Sequence, residues 1–330
     1  MIKTKDAVLA RLKASGGYVS GETLGETLGI SRTAINAAVN ALRRDGYEIS
    51  SSTNKGYIVT RSPDAVNYGE LLALLPPERV QKIALLDSVD STNNRLHELA
   101  VADAPDGQVV IAESQHAGRG RYGRSFVSPR GKGIYLSVLF RPHALQPASA
   151  ATLAAWVAVS IGNAVQKTCG VRPDIKWVND LVLNKRKICG ILTETTVESE
   201  TGHIRHVIVG AGLNVNESAE DFPPDLRDTA TSLFAETGQR FDRAPIVAQI
   251  VRELDALSLA WPHEKEKFLA AYRQQCVTVG NTVRLTGKEE RIGFAQAIDD
   301  NFGLIVRLED GTQTTVISGE VSVRGLYGYV

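Results

Sequence analysis

The stretch SRTAINAAVNALRRDGYEISSSTNKGYIV, residues 31–59, changes midway from a helical to a strand-like pattern. Ser31 suits the N-cap of a helix, because its hydroxyl can accept a hydrogen bond from a free amide of the first turn. The apolar residues that follow at the spacing of one buried helix face are Ile35, Ala38, Val39 and Leu42. Beyond them, apolar and polar residues alternate around Asn54-Lys55-Gly56, a sequence typical of a hairpin turn. The stretch therefore predicts a helix followed by a β-hairpin.

Two more helices are predicted upstream, at about Lys5 to Ala14 and about Gly21 to Leu28. Three helices followed by a hairpin are typical of a winged-helix DNA-binding domain. The outward face of the third helix carries short hydrogen-bonding side chains that can reach base edges in a major groove. The predicted DNA-binding residues are Ser31, Arg32, Thr33, Asn36 and Asn40. A small helical domain whose polar face is merely solvated is the alternative.

Composition and charge exclude several classes of protein. Of the 330 residues, 43% are apolar and 22% are charged, so the chain can bury cores and is not a disordered polyelectrolyte. The formal net charge is zero, although residues 1–60 carry eight Lys/Arg against five Asp/Glu. The three cysteines form no CxxC pair and the first residues show no signal-peptide pattern, so we expect a cytoplasmic protein. The most apolar stretch, Ala148 to Val165, contains polar residues and predicts a buried helix rather than a membrane span.

The rest of the chain divides into a large mixed region and a short strand-rich region. Six strand-like runs occur at 82–87, 108–114, 134–140, 174–178, 187–194 and 206–215, with helical stretches near 92–102, 148–168 and 244–260. From about Val277, five short strands with turn signals suggest a small SH3-like barrel. We therefore predict an α+β multidomain protein: a winged helix, a central α/β domain on a mostly antiparallel sheet, and a C-terminal SH3-like β-barrel. The predicted domains are 1–62, 68–262 and 277–330.

Two segments of the central region carry polar side chains suited to a ligand. The sequence DSTN, residues 90–93, precedes a helix and offers small donors and acceptors, although it can also be a plain N-cap. The sequence GRGRYGR, residues 118–124, is called the arginine–glycine loop below. Its glycines permit positive φ or close backbone approach. Its arginine forks and backbone amides suit a phosphate or carboxylate. An RNA tether and a solvated turn are the alternatives for this loop.

Two further segments follow. KWVND, residues 176–180, places a cation, an aromatic ring, an amide and a carboxylate at a strand end. Lys187 opens the next strand after a tight turn, and its ammonium can either face a pocket or extend to solvent at the strand edge. In GAGLNVN, residues 210–216, Gly210 and Gly212 are expected to break a strand and let a ligand approach. This segment is not GxGxxG, and the chain contains no Walker A, HExxH or GxSxG motif.

Taken together, these motifs resemble those of a known family. STN, then QxAGRGRxGR, then KWxND, then RKxxGILxE, then GxGxNxN is the ordered motif set of biotin protein ligases. With the predicted winged helix in front and the small barrel behind, the chain is similar over essentially its whole length to the bifunctional bacterial form, which also represses the biotin operon.

The resemblance implies a reaction, ligands and partners. The family makes biotinyl-5′-AMP from biotin and ATP with Mg²⁺, and then biotinylates one lysine of an acceptor domain, the biotin carboxyl carrier protein of acetyl-CoA carboxylase. The repressor form binds operator DNA as a homodimer with biotinyl-5′-AMP as corepressor. The implied biotin and nucleotide contacts are Ser91, Thr92, Asn93, Gln115, Arg119, Gly120, Arg121 and Lys187. Arg121 and Lys187 are the implied catalytic residues.

The resemblance also implies less specific roles and leaves two alternatives. Asn179 and Asp180 become nucleotide or Mg²⁺ contacts, although no metal-ligating residue is assigned. A flexible arginine–glycine loop would shield the adenylate from water. The sequence departs from the family at Phe126, where Trp is common, at Val178, where Pro is common, and at Tyr122, where Arg is common. The alternatives are a non-catalytic biotin-sensing regulator and a lipoate-type ligase.

Overall fold

A computed structural model describes residues 2–142, 145, 147–286, 290–317 and 322–325. The chain forms two compact units. The first comprises residues 1–85 and 242–248, and the second comprises residues 86–241 and 249–330. Each unit is described by itself below.

The first unit contains the predicted three helices and hairpin, followed by two short helices that the sequence did not predict. Its elements are α1 (Thr4–Ser15), α2 (Gly21–Leu28), α3 (Arg32–Arg44), β1 (Glu48–Ser52), β2 (Gly56–Arg61), α4 (Tyr68–Leu74) and α5 (Pro77–Val80). Ser31 caps α3 as expected, because its hydroxyl accepts a hydrogen bond from the amide of Ala34 at 3.2 Å. The predicted apolar stripe of α3 is buried, and β1 pairs with β2 in an antiparallel hairpin. The predicted helices and hairpin of the winged helix are therefore confirmed.

A buried polar cluster joins α4 to the winged helix. The Glu70 side chain is buried and accepts hydrogen bonds from Lys13 Nζ at 2.5 Å and from the Tyr47 hydroxyl at 2.9 Å. Asn67 caps α4 and donates to the Tyr47 hydroxyl at 2.8 Å. Burial raises the pKa of Tyr47, so this phenol stays protonated and can keep donating to Glu70. Because a buried carboxylate is costly without such partners, α1, α4 and the residue before β1 are fixed together.

The central region contains an antiparallel sheet that holds the segments singled out above. The strands are β3 (Ile83–Leu86), β4 (Val109–Ala112), β5 (Ile134–Phe140), β6 (Asp174–Lys176), β7 (Asp180–Leu183), β8 (Arg186–Val197) and β9 (Ile204–Leu213). Six of them are hydrogen-bonded in the order β4-β5-β9-β8-β7-β6, and each neighbouring pair is antiparallel. The predicted mostly antiparallel sheet is confirmed. The sequence missed β7, whose four residues are too few to give a clear periodicity.

The helices of this region are α6 (Thr92–Val101), α7 (Pro147–Cys169), α8 (Leu233–Thr237), α9 (Arg243–Ala260) and α10 (Lys265–Gln275). The sequence predicted α6, α7 and α9 and missed the other two. The α7 side chains around Trp156 are buried, and Trp156 stacks on Phe268 of α10 with ring centroids 4.3 Å apart. The apolar stretch is therefore a core helix. Among the described residues, no helix combines the length and apolarity that crossing a bilayer requires.

The C-terminal region contains the five predicted strands: β10 (Thr282–Thr286), β11 (Arg291–Ile298), β12 (Leu304–Leu308), β13 (Gln313–Val316) and β14 (Ser322–Gly325). They are antiparallel in the order β13-β12-β11-β10-β14. The Trp177 indole donates to the carbonyl of Phe302, and the Trp177 amide donates to the Thr278 hydroxyl, both at 2.8 Å. This region therefore supports the KWVND segment. Closure into an SH3-like barrel stays a prediction, and residues 287–289, 318–321 and 326–330 of its range lie outside the described residues.

Candidate functional site

A pocket of about 510 Å³ lies in the second unit, a volume suited to a small-molecule ligand. It is bordered by the start of α6, the arginine–glycine loop, the KWVND segment, the first half of β8 and the end of β9. All the predicted biotin and nucleotide contacts line it: Ser91, Thr92, Asn93, Gln115, Arg119, Gly120, Arg121 and Lys187. Side chains that are up to about one hundred residues apart thus face one cavity, while their individual roles stay predictions.

The start of α6 is held by a side chain from another segment. Ser91 occupies the N-cap position, but its side chain makes no capping bond and is buried. Instead, the amide and hydroxyl of Thr92 donate to Gln115 Oε1 at 2.8 and 3.1 Å. Gln115 Nε2 in turn donates to the Ser128 hydroxyl at 2.9 Å. DSTN is therefore more than a plain N-cap, because its first turn is fastened to the segment that carries the arginine–glycine loop.

Asn93 is fixed by two side chains that the sequence analysis did not assign. The Ser137 hydroxyl on β5 donates to Asn93 Oδ1 at 2.6 Å, and Asn93 Nδ2 donates to Glu194 Oε2 on β8 at 2.7 Å. All three side chains come from different elements and meet beside the pocket. Sequence signals for both partners existed: Ser137 is the single polar residue in the apolar run 134–140, and Glu194 ends the RKxxGILxE motif.

Gly210 and Gly212 do not break the strand, contrary to the prediction. β9 runs through both residues and pairs with β5 on one side and β8 on the other. A Cβ on Gly210 would lie 2.2 Å from Asn93 Oδ1, and a Cβ on Gly212 would lie 2.4 Å from the Phe126 ring. The glycines therefore make room for two side chains of the pocket wall, and they do so without any change in strand geometry.

The backbone of the arginine–glycine loop forms several hydrogen bonds of its own. Of its three glycines only Gly123 has a positive φ, 72°, together with the neighbouring Tyr122 at 58°. The amides of Gly120, Arg124 and Phe126 donate to carbonyls within or beside the loop at 2.7 to 3.3 Å. These amides already have acceptors within the protein, and anion binding by the rest of the loop stays a prediction.

Arg121 and Lys187 both pair with the end of the KWVND segment. Arg121 donates to Asn179 Oδ1 at 2.9 Å, and its guanidinium also lies 5.1 Å from the Tyr122 ring centroid. Lys187 Nζ lies 2.7 Å from Asp180 Oδ1. The Lys187 side chain is 26% exposed and lines the pocket, so it does not simply extend to solvent at the strand edge. Two cations are thus held at adjacent positions of one pocket.

Arg119 lines the pocket while its guanidinium is engaged with protein groups. It donates to Asn94 Oδ1 at 2.9 Å and forms an ion pair with Glu194 Oε1 at 3.1 Å. The structure therefore gives this arginine partners on α6 and β8. Its role as a biotin contact stays a prediction.

Phe126 forms part of the pocket wall. Its ring packs over Gly212 and makes an edge contact with Tyr135, with ring centroids 6.4 Å apart. The Tyr135 hydroxyl lies 3.3 Å from Glu217 Oε1 and donates to the carbonyl of Pro129 at 3.0 Å. Burial raises the pKa of Glu217 to about 7, because the low-dielectric surroundings disfavour the charged carboxylate.

The predicted DNA-binding residues lie in the first unit, and all five are exposed. The amide oxygen of Asn36 accepts from the Tyr57 hydroxyl at 3.5 Å, and that of Asn40 accepts from Arg43 at 3.4 Å. Both contacts use the side-chain oxygens, so the NH₂ groups can serve as donors to base edges. Within the described parts of the chain, no group of three or more His, Cys, Asp or Glu is placed to hold a metal ion.

Comparisons with known proteins agree with this organisation. Residues 85–214 match the biotin/lipoate A/B protein ligase family, residues 4–58 match an HTH domain, and residues 278–324 match the biotin protein ligase C-terminal domain. The chain is 35% identical to the bifunctional ligase/repressor BirA of Bacillus spizizenii, over 93% of this chain and 94% of the relative. It is 33% identical to BirA of Escherichia coli, over 96% of both chains.

A solved structure matches as well. The biotin protein ligase from Aquifex aeolicus, in complex with biotin and ATP, is 27% identical, with a TM-score of 0.64. The match covers 74% of this chain and 98% of that chain.

Proposed function

The chain belongs to the family of bifunctional ligase/repressor proteins, and on that premise we propose that it is an ATP-dependent biotin protein ligase and a transcriptional repressor. It joins biotin to AMP and then transfers the biotin to one lysine of an acceptor protein. The observation that carries this proposal is that residues of all five ligase motifs line one pocket, where basic side chains such as Arg121 and Lys187 occur together with small polar ones.

The first step joins two anions. An oxygen of the biotin carboxylate attacks the α-phosphorus of ATP, and the bond from that phosphorus to the bridging oxygen breaks, so that pyrophosphate leaves. Negative charge lies on the oxygens around the phosphorus and develops on the leaving oxygen, and fixed donors directed at these oxygens lower the barrier. Lys187 and Arg121 supply such donors, because both are held by the adjacent residues Asn179 and Asp180 at the same end of the pocket.

The second step consumes the adenylate. The amine of the acceptor lysine attacks the acyl carbon of biotinyl-5′-AMP, the bond from that carbon to the phosphate oxygen breaks, and AMP leaves. Water would compete for the same acyl carbon. Phe126 and the arginine–glycine loop cover the pocket and exclude water until the acceptor arrives.

Mg²⁺ enters with ATP as part of the substrate. Asp180 and Asn179 offer a carboxylate and an amide oxygen, which are ligands that Mg²⁺ takes together with phosphate oxygens and water. The acceptor is a biotin carboxyl carrier protein of acetyl-CoA carboxylase, and the reaction takes place in the cytoplasm. The cysteines within the described residues, Cys169, Cys189 and Cys276, are all free thiols, in keeping with a reducing compartment.

The repressor half of the proposal concerns the first unit. Residues 1–62 form the DNA-binding domain, residues 68–262 the ligase domain and residues 277–330 the C-terminal domain. With biotinyl-5′-AMP bound, the protein forms a homodimer and places two α3 helices on an operator with inverted-repeat symmetry. Support comes from the exposed donor face of α3 and from the HTH match.

One incubation tests the enzyme. The protein is mixed with ATP, Mg²⁺ and a biotin-acceptor domain, with either biotin or lipoate, and the acceptor is weighed by mass spectrometry. We expect biotin on one lysine and no lipoylation. An acceptor that gains no mass with either acid would leave only a non-catalytic regulator, and a gain only with lipoate would indicate a lipoate-type ligase.

A second experiment tests the repressor. Genomic fragments retained by the protein are sequenced, and the mass of the protein is followed by sedimentation, with and without biotin plus ATP. We expect an inverted repeat and a dimer only when both ligands are present. Identical retention and mass without ligands would contradict the corepressor role.

A further inference from the structure

Glu194 lies on β8 at the end of the RKxxGILxE motif, and none of the roles proposed above uses it. Its side chain is 21% exposed and approaches three groups from two other segments. Oε1 lies 3.1 Å from the Arg119 guanidinium of the arginine–glycine loop. Oε2 accepts from Asn93 Nδ2 at 2.7 Å and lies 3.6 Å from His97 Nε2, both on α6.

Arg119 and Asn93, two of the residues that contact Glu194, make further contacts with α6 and with the sheet. The second bond of the Arg119 guanidinium goes to Asn94 Oδ1, so α6 and β8 hold the same arginine. Asn93 is also fixed by Ser137 and fills the space that Gly210 leaves open. One carboxylate therefore connects the first arginine of the loop to a side chain of the pocket wall.

We propose that Glu194 is a positioning residue that fastens the Arg119 end of the arginine–glycine loop to α6 and so sets how long biotinyl-5′-AMP stays in the pocket. Only the part of this proposal that concerns biotinyl-5′-AMP rests on the proposed ligase function. The fastening of the loop does not depend on it. The loop must open for substrates and for the acceptor lysine and must close in between. The Glu194 carboxylate, 3.1 Å from the Arg119 guanidinium, holds that end of the loop, while Arg121, two residues later, bonds to Asn179 in the pocket.

The exposure of the Arg119–Glu194 ion pair determines how much its loss should change loop opening and adenylate release. Arg119 is 48% exposed, so solvent screens the ion pair, and such pairs contribute only a modest interaction energy. Loss of the ion pair should therefore raise the rates of loop opening and of adenylate release by about two- to five-fold. Asn93 keeps an acceptor in Glu194→Gln, because the amide oxygen replaces one carboxylate oxygen.

The first test measures loop opening and needs no ligand. Trypsin cleaves after arginine, and the loop contains Arg119, Arg121 and Arg124. We expect the Glu194→Gln variant to be cut in this loop about two- to five-fold faster than the wild type, with fragments identified by mass. Glu198→Gln, an exposed change just beyond the end of β8, is the matched control and should be cut at the wild-type rate.

The second test measures retention. Biotinyl-5′-AMP is bound and its dissociation is followed after dilution into excess unlabelled compound. We expect about two- to five-fold faster release from Glu194→Gln, with little change in the kcat of adenylate formation at saturating biotin and ATP. A merely structural role would instead lower kcat together with the melting temperature.

A double-variant cycle shows whether the Arg119–Glu194 ion pair itself holds the loop or whether each substitution loosens the protein in general. Arg119→Met removes the other half of the ion pair and keeps the side-chain stem. Because Arg119→Met also removes one trypsin site, cleavage is compared only after Arg121 and Arg124, which every variant keeps. If the ion pair holds the loop, the double variant Arg119→Met/Glu194→Gln is cleaved there no faster than the faster single variant. Fully additive rates would overturn the proposal, and so would wild-type cleavage and release in Glu194→Gln. If that variant does not fold, Asn94→Ala removes the other bond of Arg119 and is expected to speed cleavage in the same way.

Failure of the proposed ligase function can be distinguished from failure of the proposal about Glu194. A protein that binds no biotinyl-5′-AMP would refute the ligase, whereas the trypsin experiment would still decide whether Glu194 holds the loop.

Discussion

Gly212 and Phe126 show how a single missing side chain determines part of the pocket. The Phe126 ring occupies the space where a Cβ of residue 212 would lie, so the ring reaches the sheet surface between β5 and β8. The same relation holds between Gly210 and Asn93. Glycine is destabilising within a strand in general, and here it is compensated by the side chain that packs over it.

Gly212→Ala should therefore displace Phe126 and weaken biotin binding. The new Cβ would lie 2.4 Å from a ring carbon, which is too close for a van der Waals contact, so the ring must move into the pocket or out of it. We expect the KM for biotin to rise by about five-fold or more, since one misplaced wall residue costs roughly 1–3 kcal/mol. Gly162→Ala in α7, where a Cβ would meet only ordinary contacts beyond 3.6 Å, is the control. An unchanged KM in Gly212→Ala would contradict this account of the wall.

Arg121→Gly should release the adenylate before the acceptor arrives. It removes the guanidinium that bridges Asn179 and Tyr122 and leaves the loop without that tie to the KWVND segment. The expected result is biotin on many lysines of a bystander protein such as serum albumin, detected by streptavidin blotting. Arg130→Gly removes an exposed arginine outside the pocket lining and should keep the reaction specific to the acceptor domain. Strict acceptor specificity in Arg121→Gly would mean that shielding does not depend on this residue.

At the scale of elements, the register between β8 and β9 decides which side chains meet. Gly190 pairs with Gly212, Leu192 with Gly210, and Glu194 with Ile208. Since successive side chains of a strand point to opposite faces, a slip of one residue would turn Glu194 away from Asn93. The long pairing of these two strands therefore fixes the pocket wall, and the turn at Asn184 and Lys185, both with positive φ, sets where β8 begins.

Helix α3 carries a testable prediction about DNA binding. Asn36→Ala removes a donor from its exposed face without touching the buried stripe that holds the helix. We expect binding to the retained DNA fragment to weaken by about 1–3 kcal/mol, while ligase activity is unchanged because the pocket lies in the other unit. Mobility-shift titration at fixed salt measures this. Asn301→Ala, in the C-terminal region, is the matched exposed change and should bind DNA as the wild type does. Equal affinity for Asn36→Ala would exclude this residue from the DNA interface.

At the scale of the whole molecule, one buried acid is expected to make stability depend on pH. Glu217 is 1% exposed, and burial raises its pKa from 4.5 to about 7. The folded protein therefore keeps a proton that the unfolded chain loses between these values. The contribution of Glu217 to stability is fully present below pH 4.5 and is lost as the pH rises through about 7.

Glu217→Gln should remove this dependence, because an amide has the same shape and cannot ionise. Since one pKa unit corresponds to about 1.4 kcal/mol, the wild type should lose up to roughly 3 kcal/mol relative to the variant between pH 5 and pH 8. Urea unfolding of both proteins at several pH values measures the difference, with the exposed Glu198→Gln as control. If the wild type and Glu217→Gln show parallel pH profiles, Glu217 is already charged in the folded protein.

The sequence by itself determined the elements whose patterns are local. The stripe from Ile35 to Leu42, the cap at Ser31 and the hairpin turn after it each depend on residues within a few positions of one another, so periodicity and capping rules identify them. The ligase motifs were likewise visible as short segments, and the strand-like runs predicted a mostly antiparallel sheet, whereas the order of its strands came only from the structure. Short elements such as α4, β7 and α8 were missed, because a few residues give no periodic signal.

Only the tertiary structure decided which of these segments meet. Asn93 and Glu194 are 101 residues apart and Trp177 and Phe302 are 125 apart, and each pair depends on strand register and on close packing. The same holds for the two glycines of β9, which the sequence suggested were strand breaks and which the structure shows to be sites of close approach. The physical reason is that the secondary-structure preference of a segment depends on neighbouring residues in the sequence. The shape of a pocket depends instead on how distant segments pack together when the core is buried.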